Sequence, residues 1–284
     1  MKQRKWWIGL VVLIVAMVSA ICFQLGRRES NSVQPSADGV PTFYLHGYGG
    51  SANSTNGMID YAVQHNGATK VIQAVVAPNG KVTLRGRWTG QVTHPIVQVV
   101  YQNPRQRNFK TDGRWFRNVL LAVKKQHSFS RFNAVAHSMG NMSLMYETLF
   151  DSHESGMPQL QKEVNIAGHF DGIVQLDDRP NQNSLAANGK PKIMDSTYRE
   201  LLANQNQFPK NQVDILNVYG NLRNGTNSDG DVTNVSSRSL YYLVGKRAKS
   251  YTELQFNGPS AQHSRLHENQ RVDKAIGSYL YRRY

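Results

Sequence analysis

The sequence predicts a three-layer α/β fold in which a mostly parallel central sheet is flanked by helices. Short apolar runs rich in β-branched and aromatic residues recur along the chain, and apolar residues at helical spacing lie between them. The chain contains no internal repeat and no low-complexity tract. Strands that alternate with helices are typical of one α/β domain, and 284 residues are enough to build its core.

Seven apolar runs predict strands that are buried on both faces of the sheet. A further segment, Lys81–Arg85, follows the turn Pro78-Asn79-Gly80 and predicts a hairpin added at one edge of the sheet. The seven runs are Thr42–His46, Val71–Ala77, Ile96–Tyr101, Phe132–Ala136, Val164–Ala167, Val213–Tyr219 and Tyr251–Phe256.

Helices are predicted where apolar residues recur on one face. The pattern runs through residues 115–123, and it returns near the C-terminus at Val272, Ile276 and Leu280. Residues 141–150 predict a third helix that directly follows a strand. Each apolar face is expected to pack against the sheet.

Residues 169–194 fit neither pattern. The segment is long and polar, and Pro180 and Pro191 interrupt it. Loops of this length inside a compact domain often serve as lids or binding segments. We therefore expect a lid here.

The N-terminus carries a candidate membrane segment. Trp6–Leu25 is a run of 20 residues without a charge, which is the length of a membrane-spanning helix. Lys2, Arg4 and Lys5 precede it, so the positive-inside tendency keeps the N-terminus cytoplasmic and exports the rest. The alternative is a cleaved signal peptide, because Val18-Ser19-Ala20 offers small residues at a cleavage point.

The chain is expected to divide into three parts. Residues 1–28 form the anchor or signal segment, residues 29–39 a polar linker, and residues 40–284 the α/β domain. The domain is then extracellular, either on a single-pass membrane protein or secreted. Cys22, the only cysteine, lies in the first part, so the exported domain has no internal disulfide.

The net charge of +14 points to polyanionic partners. Without the five basic residues and one acidic residue of the N-terminal segment, 28 basic and 18 acidic residues remain, a charge of +10. Nucleic acid, anionic lipid and acidic wall polymers all fit this charge. The basic residues are scattered and no nucleic-acid motif has the required spacing, so we expect no nucleic-acid partner.

The stretch AVAHSMGNMS, residues 134–143, predicts a nucleophilic serine. Phe132–Ala136 supplies a strand, residues 137–140 a tight turn, and the following residues a helix, so Ser138 lies at the end of the strand. The small residues Ala136 and Gly140 flank it as in the G-x-S-x-G nucleophile elbow, with alanine in the first place. A serine that only caps the helix is the structural alternative.

An acid and a base are expected to follow the serine along the chain. Asp229 lies in a turn after the strand Val213–Tyr219, and we prefer it to Asp231 as the acid because it precedes a glycine and can reach across the sheet edge. His263 follows the last strand and is preferred as the base to His267, which is nearer to the final helix.

No metal or cofactor is expected. Asn227, Asp229 and Asp231 alternate as they would in a calcium loop, but the remaining ligands of such a loop are missing, including a glutamate at the twelfth position.

The glycine-rich turn His46-Gly47-Tyr48-Gly49-Gly50 follows the first strand and predicts an oxyanion hole. The backbone N–H groups of Tyr48 and Met139 are its expected donors. A phosphate-binding loop is the competing interpretation, but no Gly-Lys-Ser/Thr follows. His46, together with His169 and Phe170 of the expected lid, is predicted to contact substrate.

These blocks resemble the α/β-hydrolase superfamily over residues 40–284. FYLHGYGGSANS, AVAHSMGNMS, VNIAGHFDG, SDGDVTNVSS and QHSRLHEN are similar to an uncharacterised family of exported serine hydrolases of the Gram-positive cell surface. The resemblance implies an α/β-hydrolase fold and an esterase in which Ser138 attacks, His263 transfers the proton and Asp229 orients it. Alanine at position 136 departs from the commoner glycine, a sterically mild change.

We therefore expect a carboxylesterase that acts on small-molecule, lipid or wall esters, and membrane contact through the N-terminal segment. Amides and thioesters remain open as substrates, and so does the oligomeric state. A non-catalytic surface module that binds anionic polymers is the alternative function.

Overall fold

Eight strands form one sheet at the centre of the molecule. The computed structural model describes residues 39–281. The order across the sheet is β3-β2-β4-β1-β5-β6-β7-β8, and every neighbouring pair is parallel except β2 with β3. The strands are β1 Thr42–Leu45, β2 Thr69–Val76, β3 Val82–Gly86, β4 Pro95–Tyr101, β5 Arg131–His137, β6 Gln159–Ile166, β7 Asp214–Asn221 and β8 Ser250–Asn257.

This sheet confirms the predicted mostly parallel α/β architecture. The expected edge hairpin is β2 with β3, which lies at one end of the strand order. The largest difference is in β6, which begins at Gln159, whereas its sequence pattern predicts a start at Val164. Apart from Leu160, its residues before Val164 are polar, so this part lacks the continuous apolar signal of a buried strand.

Helices cover both faces of the sheet. The helices at 109–126 and 270–281 carry the two predicted apolar faces. The predicted helix at 141–150 begins earlier, at Met139, and gives way to a wider π turn at Glu147–Asp151. The α-helices are α1 Asn53–Asn66, α2 Phe109–Gln126, α3 Met139–Tyr146, α4 Ser196–Ala203, α5 Asn234–Arg238 and α6 Gln270–Tyr281.

The core lies in two layers because successive strand residues point to opposite faces. In β1, Phe43 and Leu45 belong to the layer that α2 and α3 cover, whereas Tyr44 belongs to the layer that α1 and α6 cover. Both layers are apolar, which explains why the central strands read as continuous apolar runs.

Residues 169–194 contain no helix or strand, only two isolated bridges. The first part of this segment is hydrogen-bonded to the loop after β7. The Val174 N–H donates to the Asp231 carbonyl at 2.8 Å, and the Thr233 hydroxyl donates to the Asp178 carboxylate at 2.5 Å. The segment is thus fastened to its neighbour, and its role as a lid stays a prediction.

The predicted membrane segment and linker lie outside the described residues. Between residues 39 and 281, no helix combines the length and the apolar composition needed to cross a bilayer.

Phe116 is expected to be a main contributor to the core, since it is fully buried and its ring lies 5.8 Å from Phe43 and 5.9 Å from Phe132. Phe116→Ala should lower the free energy of unfolding by about 3–5 kcal/mol, measured by urea denaturation, because it leaves a cavity among these rings. Leu176→Ala, at a site that is 72% exposed, should change it by less than about 0.5 kcal/mol. Equal effects of the two variants would contradict this description of the core.

Candidate active site

Ser138 occupies a strained turn between a strand and a helix. β5 ends at His137 and α3 begins at Met139, so Ser138 alone makes the reversal, with φ 52° and ψ −122°. A positive φ is uncommon for a residue with a side chain and needs support from its surroundings. The Ser138 N–H donates to the Ile166 carbonyl at 2.9 Å, and the Asn141 amide donates to the carbonyls of Ser138 and Ile166.

The residue at position 140 must be small for this turn to fit against β1. A Cβ atom on Gly140 would lie 2.9 Å from the carbonyl oxygens of Leu45 and His46. The helix can therefore approach the end of β1 only if this position is glycine. The elbow pattern in the sequence reflects this close approach.

His263 joins Ser138 to Asp229. Its Nε2 atom lies 2.9 Å from the Ser138 Oγ atom, and its Nδ1 atom lies 2.9 Å from Asp229 Oδ2. Because an ionised carboxylate can only accept, Nδ1 carries the hydrogen and Nε2 is free to accept from the serine hydroxyl. All three side chains are buried.

The turn after β7 holds the Asp229 carboxylate in place through backbone hydrogen bonds. The N–H groups of Asp231 and Val232 donate to Asp229 Oδ1 at 3.0 and 2.7 Å, and the His263 N–H donates to the Asp229 carbonyl at 2.9 Å. Asp231 is exposed and contributes its backbone to this turn. The structure therefore places Asp229, and not Asp231, on the imidazole.

The other candidate base, His267, contacts His137 and forms no hydrogen bond with Ser138 among the described residues. The His267 ring packs edge-on against His137, with 4.6 Å between the ring centroids. His267 lines the same cavity as Ser138, but the imidazole on the serine oxygen is that of His263.

Two opposing effects set the pKa of His263. Burial is the largest and lowers the pKa, but the hydrogen bond that His263 donates to Asp229 and the charges of Asp229 and Asp231 together outweigh it and raise the pKa above 6.5. The carboxylate thus stabilises the imidazolium that forms when His263 accepts a proton.

The neighbouring histidines stay neutral near pH 7. Burial, and after it the proximity of His263 and His267, lowers the pKa of His137 well below 6.5. Burial, and after it the charge of His263, lowers the pKa of His169 to about 4. His137 donates from Nε2 to the His263 carbonyl at 3.0 Å. It positions the backbone of the base without placing a second cation beside it.

The glycine-rich loop after β1 closes on the serine. A Cβ atom on Gly47 would lie 2.8 Å from the Ser138 Cβ atom and 3.1 Å from His137 Nδ1. The N–H groups of Gly49 and Gly50 donate to Pro104 and Gly47, respectively. Within residues 39–281, the N–H groups of Tyr48 and Met139 have no such carbonyl acceptor, which leaves both available to a ligand.

A cavity of about 500 Å³ adjoins Ser138. Ile173, Val174 and Leu176 of the 169–194 segment form part of an apolar wall, and His169 also lines it. Gln106 and Arg107 come from the loop after β4, which the sequence does not single out. These residues reach the cavity because β4 is parallel to β1 and ends at the same edge of the sheet.

The structure corrects two predicted substrate contacts, His46 and Phe170. His46 is fully buried; it donates from Nδ1 to the Gly47 carbonyl and accepts the Tyr101 N–H at Nε2, so it links the loop to β4. Phe170 is also fully buried and belongs to the hydrophobic core. Neither side chain lines the cavity.

In the part of the chain that the structure describes, no three histidine, cysteine or acidic side chains are grouped to hold a metal ion. Of the alternating residues that suggest a calcium loop, Asp229 is engaged by His263.

Residues 29–283 match the family described as "Alpha/beta hydrolase of unknown function (DUF915)". The chain belongs to this family. No curated protein matches the sequence of this alpha/beta hydrolase.

Solved structures share its fold. The product of the gene lin2722 from Listeria innocua superposes with a TM-score of 0.75 at 22% identity, covering 87% of this chain and 96% of that one. A protein of Lactobacillus plantarum WCFS1, provisionally assigned as a cell surface hydrolase, gives a TM-score of 0.68 at 20% identity, covering 85% and 90%.

The Asp229 contact is expected to control the protonation of His263. Asp229→Asn removes the contact that raises the pKa of His263 most, whereas the burial that lowers this pKa remains. The pKa of His263 should therefore fall below its wild-type value, as followed by NMR titration of the imidazole. Asp231→Asn, the matched control, removes only a more distant charge and should lower it less. An equal or larger fall in Asp231→Asn would contradict the assignment of the acid.

Proposed function

We propose that this alpha/beta hydrolase is a serine hydrolase that cleaves carboxylic esters through Ser138, His263 and Asp229. One observation carries the proposal: an unbroken hydrogen-bonded chain runs from hydroxyl to imidazole to carboxylate, with 2.9 Å at both steps, beside a cavity. This arrangement matches the requirement for an activated serine nucleophile.

In the first half of the proposed reaction, Ser138 Oγ attacks the ester carbonyl carbon while His263 Nε2 accepts the hydroxyl proton. The carbonyl oxygen becomes an oxyanion, and the N–H groups of Tyr48 and Met139 donate to it. The tetrahedral intermediate collapses, the C–O bond to the alcohol breaks, and His263 returns the proton to the leaving alkoxide. An acyl group remains on Ser138.

In the second half, water attacks the acyl carbon as His263 Nε2 accepts a proton from it. Collapse of the second intermediate breaks the bond to Ser138 Oγ, which regains the proton from His263 and releases the carboxylic acid. Asp229 holds the imidazole tautomer throughout and remains ionised.

The cavity supports small or short-chain acyl esters, because its size is modest and its walls include Ile173, Val174 and Leu176. Lipid or wall esters are the natural targets that we infer. The uncharged N-terminal run supports an extracytoplasmic location. A panel of ester, thioester and amide substrates separates the reaction classes that one triad can serve.

The nucleophile can be tested by covalent labelling. A fluorophosphonate probe should label the full-length protein in nonionic detergent, and Ser138→Ala should abolish both labelling and hydrolysis of a p-nitrophenyl ester. Among the described hydroxyl groups of the cavity lining, only that of Ser138 is hydrogen-bonded to an imidazole. Ser264→Ala, which changes an exposed serine at the same cavity, is the matched control and should retain both. Labelling that persists in Ser138→Ala would overturn the site; a wild type that neither labels nor hydrolyses esters would favour the non-catalytic surface module.

The fit of the oxyanion loop can be tested at Gly47. Gly47→Ala should lower kcat by about 100-fold or more, because the added methyl group pushes the loop away from Ser138 and moves the Tyr48 donor. Gly57→Ala adds the same group on α1, where the nearest atom would be 3.8 Å away, and should leave kcat unchanged. A Gly47→Ala enzyme with wild-type kcat would argue against Tyr48 as a donor.

A further inference from the structure

A second cavity of about 440 Å³ lies beside the carboxyl ends of β7 and β8. Its walls come from the 169–194 segment, the loop after β7 and helix α5, and it shares no lining residue with the cavity at Ser138. We call it the arginine cleft. Its charged lining residues are Arg179, Arg223 and Arg238.

The arginine cleft is strongly positive at close range. No carboxylate among the described residues lines it, and within residues 39–281 neither Arg179 nor Arg223 forms an ion pair. Only Arg238 is paired, with Glu253 at 2.9 Å. All three arginines are exposed, so solvent screens their mutual repulsion, and an anion that enters the cavity meets positive charge without a competing carboxylate in the lining.

Two of the guanidinium groups are held in position. Arg223 donates from Nε to the Asn257 side chain at 2.7 Å, and its backbone adopts a φ of 58°. Arg238 donates from Nε to Glu253 and lies 5.8 Å from the centroid of the Tyr219 ring. In both residues the Nε contact leaves terminal N–H groups available to a ligand.

The rest of the lining is neutral and mostly polar, with Leu185 and Val235 as its aliphatic residues. Hydrogen bonds fix the asparagine side chains to one another: Asn227 donates to Asn181 at 2.9 Å, and Asn221 donates to Asn234 at 2.8 Å. Asn181 and Asn227 share with Arg223 the positive φ that is uncommon for residues with side chains. The cleft thus combines cross-linked polar side chains with exposed guanidinium groups, two of which are held by hydrogen bonds.

We propose that the arginine cleft binds the phosphate group of a sugar or polyol phosphate. Planar guanidinium forks match phosphate oxygens, and the three or four oxygens of a phosphate can engage donors from several sides, whereas a carboxylate offers two oxygens in one plane. The amides and hydroxyls of the lining suit the hydroxyls of the polyol. The site does not depend on chemistry at Ser138.

The test is isothermal titration calorimetry of the full-length protein in nonionic detergent, at fixed ionic strength, with glycerol 3-phosphate as the probe. Glycerol 3-phosphate should bind, glycerol should not, and glycerate, which carries a carboxylate, should bind at least tenfold more weakly. Inorganic phosphate should compete, which assigns recognition to the phosphate. Equal affinity for glycerate would overturn the preference for phosphate, and absence of glycerol 3-phosphate binding would overturn the site.

Matched variants separate the cleft from general basicity. Arg179→Gln with Arg223→Gln should weaken glycerol 3-phosphate binding at least tenfold. The control pair, Lys125→Gln with Arg131→Gln, also removes two positive charges and should leave the affinity unchanged. Both residues are exposed, one near the end of α2 and one at the start of β5, whereas the cleft lies at the carboxyl ends of the strands. Equal weakening by both pairs would overturn the proposal. Unchanged melting temperatures of the unliganded variants establish that they are folded. Ser138→Ala should bind glycerol 3-phosphate like the wild type, whether or not the esterase proposal holds.

Discussion

The sharp reversal at Ser138 is the constraint on which the site depends. One residue must end a central strand and start a helix, and it does so with a backbone conformation that needs support from outside. Asn141 and Ile166 provide that support through hydrogen bonds, and Gly47 and Gly140 permit the approach of neighbouring backbone. The serine oxygen and the two backbone N–H groups proposed as oxyanion donors are consequently placed by the packing of the sheet and not by flexible side chains.

Around the serine, the candidate acid carries a charge, whereas the neighbouring histidines are neutral. Asp229 is buried, but two backbone N–H groups and one imidazole satisfy its oxygens. The nearby His137 and His169 are too buried to protonate near neutral pH. The negative charge of the acid therefore acts on His263 without competition from a second imidazolium, as a proton-accepting base requires.

Most of the fold and the placement of the candidate triad followed from local patterns, whereas the lining of the cavity did not. The central strands are apolar on both faces, and the parallel order brings the loops after β5, β7 and β8 to one edge. The direction of a loop side chain has no comparable signal: His46 turns inward to satisfy the Tyr101 N–H, and Phe170 fills the core. Arg107 reaches the cavity only through the pairing of β4 with β1, a long-range property of the chain.

The bonds between the 169–194 segment and the turn of the acid have a mechanical consequence. Val174 and Asp178 are hydrogen-bonded to Asp231 and Thr233, two residues of the turn that follows Asp229. If the segment moves as the predicted lid, its movement is expected to act on this turn and to change the position of the Asp229 carboxylate. Entry of a bulky molecule and alignment of the candidate triad would then depend on the same two hydrogen bonds.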